Sequence, residues 1–407
     1  MSIRKPKIGL VVPALEGGGG VPAVAMFIHQ VILRAGIFDC KIVSLSASAV
    51  DDISVCITKP GSWFRGIRAQ EEVWQGLRFT RVGAMFSELE FQRFKPRKIL
   101  TTTLEDCDLI HLVCGAPAWA HAVIGLGKPV SMQVASLVKV ERLRRDEKPQ
   151  SLKDWWRKAM TEITSWMDDS ALGLVDAIQV LNPYMLDYCK AINSKRSNVD
   201  IVYAPPGLDT KLFQPIIDRQ LAVDPYILCV GRLDDPRKNI CLLLQAFYQL
   251  PPNLSHLKLI TAGARPPQEY WSLVESMGLQ ERVSHVMRPE MSELVKLYQQ
   301  ATVFALPSAE EGFGIVVIEA MACGVPVVAT RCGGPESIIN DCKDSYLVPL
   351  DNASAMADAL ARLCSDIEHN KLIGREARDT VEMRYASEVA GNVLLDVWDR
   401  LLQKTKN

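Results

Sequence analysis

Three groups of residues in this chain have the types and spacing for chemistry on a phosphorylated sugar ligand. The first is Glu311-Gly-Phe-Gly-Ile-Val-Val-Ile-Glu319, two carboxylates separated by seven residues. Leu306-Pro-Ser-Ala-Glu-Glu-Gly-Phe-Gly314 reads as a loop after a strand, and Ile315 to Gly324 as a helix ended by its glycine. Glu311 then lies in the loop and Glu319 in the first turns of the helix. The N–H groups of Gly314, Ile315 and Val316 would point at the loop, where a helix start offers unpaired donors and the positive end of its dipole to phosphate. A carboxylate on an otherwise apolar helix is costly unless paired. Sugar hydroxyls are suitable partners, which points to ribose for Glu319 and to a transferred sugar for Glu311. The plainer alternative for Glu319 is a structural ion pair with a basic residue.

The second group is Val230-Gly-Arg-Leu-Asp-Asp-Pro-Arg-Lys-Asn239. Arg232 and Lys238 leave the carboxyl end of a strand and frame a helix start, where α/β sheets bind anions. A guanidinium forks onto a diphosphate and an ammonium adds a point charge. An ordinary charged surface loop is the alternative. The third group is Gly17-Gly-Gly-Gly20, between the first strand and a helix over Val24–Leu33. Glycines let a backbone approach a ligand closely. The run is followed by Val21-Pro22-Ala23, so the GxGxxG register of a dinucleotide fold fails. By itself this loop is equally a flexible turn.

The elements that must position these groups are short apolar runs alternating with helical patterns, the mark of βαβ units and parallel sheets. Twelve strands are expected: Ile8–Val12, Lys41–Leu45, Leu109–Val113, Val130–Val134, Ala177–Leu181, Ile201–Ala204, Tyr226–Val230, Lys258–Ala262, Arg282–Met287, Val303–Leu306, Pro326–Thr330 and Ser345–Val348. Their continuous Val/Ile/Leu content fits strands buried on both faces. The pattern restarts near Leu221, after the Pro/Gly-rich passage Ala204-Pro-Pro-Gly207 and Phe213-Gln-Pro215. The expected organisation is an α/β domain over 1–205, a second over 206–385, and a helix within 386–407 that packs on one of them.

Bulk properties narrow the function. The 407 residues are 48% hydrophobic and 23% charged, enough for two ordinary cores. A formal net charge of −1 argues against a nucleic-acid binder. The eleven cysteines are scattered, mostly inside apolar runs, with no CxxC pair; this fits reduced thiols in a cytoplasmic protein and no structural zinc. No stretch approaches the length of a membrane span. Residues 139–166 stand out, with Lys139, Arg142, Arg144, Arg145, Lys148, Lys153, Arg157 and Lys158 around Trp155, Trp156 and Trp166. They read either as a solvated helix whose tryptophans pack on the core or as a segment that docks on a membrane or sugar chain.

The E-x7-E spacing, Pro307-Ser…Glu-Gly-Phe-Gly, Gly231-Arg-Leu…Lys-Asn239, Asp108-Leu-Ile-His111, Pro206-Gly-Leu-Asp209…Phe213-Gln-Pro215 and Gly333-Gly-Pro-Glu336 together resemble the retaining GT-B glycosyltransferases of family 4, the glycosyl transferases group 1. The resemblance covers nearly the whole chain and is strongest over about 200–350. It implies two facing Rossmann-like domains with the active site in the interdomain cleft. It further implies transfer of a hexose-type sugar from UDP- or GDP-sugar, with retention and without a metal or cofactor, to a glycan, lipid-linked or small-molecule hydroxyl, as in polysaccharide biosynthesis. Arg232 and Lys238 would stabilise the departing nucleoside diphosphate. Glu319 would hold the ribose, and Glu311 with the backbone of Phe313 to Ile315 and Val316 would place the donor sugar. The strand end at Met287–Pro289, with Arg288, would sit beside the base, and Gly18 and Gly19 would approach the donor from the first domain. Such an enzyme would be cytoplasmic or at the inner membrane face, with peripheral contact through 139–166.

One departure concerns the acceptor side. Many members carry His after the Lys-Pro strand, where Lys128-Pro-Val-Ser-Met-Gln-Val-Ala135 has Ala135. That keeps a non-catalytic nucleotide-sugar-binding subunit as an alternative, beside a nucleotide-sugar epimerase on the same fold. Asp106-Cys-Asp108 has the form of a DxD metal motif but precedes its strand, so it reads as helix-end and strand-start polarity.

Overall fold

A computed structural model of the chain describes residues 4–17, 19–48, 51–146, 151–196, 198–216 and 225–405. Gly18, Lys148 and the passage around Leu221 lie outside the described residues, as do the side chains of Arg144, Arg145 and Lys153. The chain forms two compact units, Met1–Pro206 with Ala390–Asn407, and Gly207–Val389.

The first unit is built on an eight-stranded sheet. Its strands are β1 (Lys7–Pro13), β2 (Asp39–Leu45), β3 (Ala69–Trp74), β4 (Leu77–Val82), β5 (Leu109–Cys114), β6 (Val130–Val134), β7 (Ala177–Val180) and β8 (Asp200–Tyr203). Their order is β3-β4-β2-β1-β5-β6-β7-β8. All neighbours are parallel except β3 and β4, a hairpin turned by Gln75 and Gly76 at φ 47 and 80. This hairpin adds two strands to the twelve expected. Ala69-Gln-Glu-Glu-Val-Trp74 sits mostly exposed at the sheet edge, so it lacks the apolar run that marks a buried strand.

The second unit carries a six-stranded parallel sheet, β9 (Tyr226–Gly231), β10 (Lys258–Gly263), β11 (Val283–Met287), β12 (Val303–Leu306), β13 (Val327–Thr330) and β14 (Tyr346–Val348). The order is β11-β10-β9-β12-β13-β14. The chain therefore builds outward from β9 in one direction, then returns to add β12 on its other side. Such a reversal opens a crevice beyond the carboxyl ends of the two strands that flank it. The first sheet reverses in the same way between β1 and β5.

Core packing follows from strands that are apolar on both faces. Ile227, Leu259, Val303, Ala305 and Val328 are fully buried under the helices that carry Leu243, Phe247, Met356 and Leu360. In the second unit, the Arg378 guanidinium donates to the carbonyls of Phe213 and Ala322, each at 2.6 Å, and of Thr210 at 3.0 Å, fastening the passage after Pro206. The last helix, Ser387–Lys404, enters the first unit from Ala390 onward and buries Leu394, Val397, Trp398 and Leu401. No described helix is long and apolar enough to cross a membrane.

Candidate active site

In the second unit the loops that follow β9 and β12 meet at the reversal point. The Ala309 N–H donates to the Arg237 carbonyl at 2.7 Å. Two ion pairs then cross between the loops side by side: Arg237 Nη1 to Glu310 Oε2 at 2.9 Å, and Lys238 Nζ to Glu311 Oε1. Glu311 Oε1 also accepts from the buried Ser308 hydroxyl at 2.8 Å. The sequence therefore brings Lys238 and Glu311 into contact across 73 positions. Asp235 shapes the first loop. Its side chain accepts the Arg237 N–H and guanidinium at the start of the turn Pro236–Lys238, and Asn239 ends that turn at φ 47. Burial opposes charge on Asp235, but the hydrogen bond and the charge of Arg237 outweigh it and hold the carboxyl down to about 2. Arg232 stands apart, half exposed, with one 3.4 Å contact to Asp235. Its guanidinium is thus largely available to a ligand.

The backbone after Glu311 is held just as closely. Glu311 N–H donates to Cys332 O at 2.9 Å, and Gly334 N–H donates to Glu311 O at 2.8 Å. A Cβ on Gly334 would lie 2.2 Å from Phe313 O, so only glycine lets these segments approach. Phe313 is buried edge-on against Tyr385, ring centroids 5.7 Å apart. Gly314 then turns the chain at φ 95 into the helix Ile315–Ala322. The first N–H groups of that helix have no carbonyl within it to pair with and face out of its start.

Glu319 lies on the half-buried side of this helix. Its Oε2 accepts from the Tyr298 hydroxyl at 2.7 Å, and Tyr298 is fully buried. The ion pair that the sequence left open is absent; among the described residues no cation pairs with Glu319. Burial pushes its carboxyl up to about 7, the Tyr298 hydrogen bond working the other way. Burial, and then the neighbouring Glu319 charge, also raises the Tyr298 hydroxyl.

The remaining residues singled out in the sequence fall elsewhere. Arg288 is exposed just beyond β11, at φ 42, its N–H donating to Gly263 O at 2.9 Å. Ile315 and Val316 are half-buried in the first helical turn. In the first unit, Gly19 precedes the helix Gly20–Ala35 at φ 92. Ala135 follows β6, and its carbonyl accepts from Asn182 Nδ2 at 3.2 Å. His111 and Gln133 do not stand in its place: both are buried within the first unit, with His111 Nε2 and Gln133 Oε1 lacking hydrogen-bond partners among the described residues. His111 is buried against Trp398, whose indole N–H donates to Nδ1 at 3.1 Å, and Gln133 Nε2 donates to Ala204 O at 2.8 Å. Asp106 binds Lys7 and Lys41 at 2.7 and 2.8 Å, while Asp108 accepts the Lys7 N–H at 2.7 Å.

The helix Leu152–Leu172 corrects one expectation. Its tryptophans do not pack on the core: Trp155, Trp156 and Trp166 are 59, 54 and 71% exposed. Of the cations around them, Lys139 lies over the Tyr188 ring, Arg142 pairs with Glu90, and Arg157 pairs with Asp154.

Sequence reasoning missed Tyr298, Ser308 and the Arg237–Glu310 pair. Arg237 and Glu310 each stand beside a residue that was singled out, so the motif carried their signal. Tyr298 comes from the helix Met291–Gln300, where its position reads as an ordinary core aromatic.

These two sheets, parallel apart from the β3–β4 hairpin and each reversing about its first strand, make a GT-B fold, and residues 224–366 match the family model described as Glycosyl transferases group 1. The match falls within the second unit, where the motif resemblance is also strongest. A D-inositol 3-phosphate glycosyltransferase of Corynebacterium glutamicum (strain R) is 28% identical over 56% of this chain and 63% of its own length. The alignment thus spans under two thirds of that relative. Sucrose-phosphate synthase from Thermosynechococcus elongatus superposes with a TM-score of 0.72 at 23% identity, over 98% of this chain and 100% of the other. HepE from Anabaena, in complex with UDP and glucose, gives 0.69 at 16% identity, over 97% and 100%.

Proposed function

We propose that the protein is a retaining glycosyltransferase that moves a hexose-type sugar from a nucleotide-sugar donor to a hydroxyl acceptor, without metal or cofactor. The observation that carries this reading is the contact of Lys238 and Ser308 with Glu311 at the sheet's reversal point. It places a cation, a carboxylate and an unpaired helix start around one crevice. The D-inositol 3-phosphate glycosyltransferases and the UDP complexes of HepE support it, and the latter favour UDP over GDP.

In this reading the donor diphosphate lies against Arg232, Lys238 and the N–H groups of Gly314, Ile315 and Val316. Ribose hydroxyls donate to Glu319, whose orientation Tyr298 fixes. Glu311 and the backbone at Phe313 hold the sugar, and Arg288 faces the base side. As the glycosidic bond breaks, positive charge grows on the sugar and negative charge on the leaving phosphate. Fixed cations favour that state over the ground state, and this difference is what accelerates the reaction. Attack from the leaving-group face preserves the anomeric configuration and lets the phosphate accept the acceptor's proton, so Ala135 need not be replaced by a base. The acceptor is a glycan, lipid-linked or small-molecule hydroxyl such as an inositol phosphate. The setting is cytoplasmic, with peripheral membrane contact at 139–166.

The test is turnover of UDP-, GDP- and ADP-sugars by wild type and by Arg232→Ala, Lys238→Ala and Glu311→Ala, with and without chelator, the product anomer read by NMR. Donor turnover that survives all three substitutions unchanged would reject the site. Selective stabilisation by one nucleotide in a thermal-shift series would identify the base.

A further inference from the structure

The helix Leu152–Leu172 presents an apolar face to solvent. Leu152, Trp155, Trp156, Ile163 and Trp166 are all exposed. At 3.6 residues per turn these positions, with Ala159 between them, fall in one stripe about 100° wide along the helix. Large exposed aromatics aligned in this way are a contact surface rather than scattered surface residues. The opposite side of the helix is fastened to the first unit. Asp168 accepts the N–H groups of Ala118 and Val138 at 2.8 and 2.9 Å, and His121 contacts the Met167 carbonyl at 3.0 Å. The stripe is therefore held rigidly outward.

Charge indicates what would cover it. The chain as a whole carries a net charge of −1, yet residues 139–158, which lead into and begin this helix, contain eight cations against four acids, while the helix over 152–172 by itself has three cations against four acids. Among the helix's own acids, Asp154 pairs with Arg157, Asp168 is buried, and Asp169 accepts from Tyr188. Glu162 is the exposed acid beside the stripe. Lys158 leans over the Trp155 ring at 6.0 Å from its centroid, keeping its ammonium at the rim of the apolar surface. Tryptophan seated at the level of the headgroups with lysine and arginine beside it is the chemistry of an anionic bilayer surface.

We infer that the helix Leu152–Leu172 is a membrane-docking element that seats Leu152, Trp155, Trp156, Ile163 and Trp166 in the headgroup region of an anionic bilayer. This deepens the peripheral-membrane part of the proposed function and uses none of the donor-binding residues, so either can fail without the other.

Co-sedimentation with phosphatidylcholine–phosphatidylglycerol vesicles tests it. Wild-type chain should bind, with a blue shift of tryptophan emission, and should bind more weakly to phosphatidylcholine alone or in high salt. The triple variant Trp155→Ser, Trp156→Ser, Trp166→Ser should lose binding about tenfold or more while keeping its circular dichroism melt and its response to UDP. Should that variant melt early, the single Trp166→Ser carries the comparison. Equal vesicle binding by wild type and variant, absence of binding by wild type, or equal binding to neutral and anionic vesicles would overturn the inference. So would a wild-type dimer in sedimentation velocity that the variant converts to monomer, because the stripe would then be covered by a second copy.

Discussion

The Tyr298 hydroxyl donates to Glu319 Oε2 at 2.7 Å, from a fully buried ring to a carboxylate on the helix that starts at the Glu311 loop. Tyr298→Phe keeps the ring's packing and leaves that oxygen without its donor. The expected cost is about 1–3 kcal/mol, measured by denaturant unfolding. Because Glu319 loses its orientation rather than its charge, the donor KM should rise more than kcat falls.

The same pair sets a pH dependence. The folded-state value of Glu319, about 7, lies above its unfolded value. Its contribution to stability is therefore complete below the unfolded value and lost as pH rises through 7. Asp168 in the first unit, pushed up to about 7 by burial against two backbone N–H donors, acts with the same sign. Glu319→Gln should flatten part of the decline in melting temperature between pH 5 and 8, about one carboxyl's share. Asp168→Asn should remove more of it. A slope unchanged in both variants would refute this assignment.

Lys238 and Arg232 should separate stability from turnover. Lys238→Ala leaves the largely buried Glu311 without its cation, which costs about 3 kcal/mol. Adding Glu311→Ala should recover part of that loss, the non-additivity expected of contacting charges. Arg232 is half exposed and weakly paired, so Arg232→Ala should change stability by less than about 1 kcal/mol. Its donor turnover should nevertheless fall on the order of a hundredfold. Parallel melts and donor-turnover assays provide the comparison.

Gly334→Ala tests the backbone seat. The new methyl would collide with the Phe313 carbonyl, which has no flexible side chain to yield. The expected outcome is a loss of about 1–3 kcal/mol together with loss of stabilisation by UDP in a thermal-shift series.

His111 and Trp398 should respond to acid. An indole N–H only donates, so His111 Nδ1 accepts and the ring proton resides on Nε2. Burial lowers the imidazole to about 3. Its contribution to stability is complete above the unfolded value near 6.5 and lost as pH falls toward 3. His111→Leu should make the acid limb of the stability curve shallower. Trp398→Ala should cost about 3–5 kcal/mol, because it removes a fully buried ring that packs on both His111 and Phe38.

Legibility varied with burial. Most of the twelve strands could be read because a strand covered on both faces must be apolar throughout, as in Ile8–Val12 and Tyr226–Val230. The hairpin of β3 and β4 could not, since an edge strand such as Ala69–Trp74 is free to be polar. The tryptophans of Leu152–Leu172 stayed open between two readings for a related reason: helical spacing describes a stripe without saying whether the stripe faces core or solvent.

The sequence by itself determined the two α/β units, the glycine-rich and charged loops after their strands, and the E-x7-E motif, because strand patterning and turn chemistry are local. Only the tertiary structure decided which charges meet. Lys238 reaches Glu311 and Arg237 reaches Glu310 because β9 and β12, remote in the chain, are neighbours in the sheet, and Tyr298 reaches Glu319 because the helices before and after β12 pack together. Side-chain pairing depends on strand order and on which helix face turns inward, and both are settled by burying apolar surface across the whole unit.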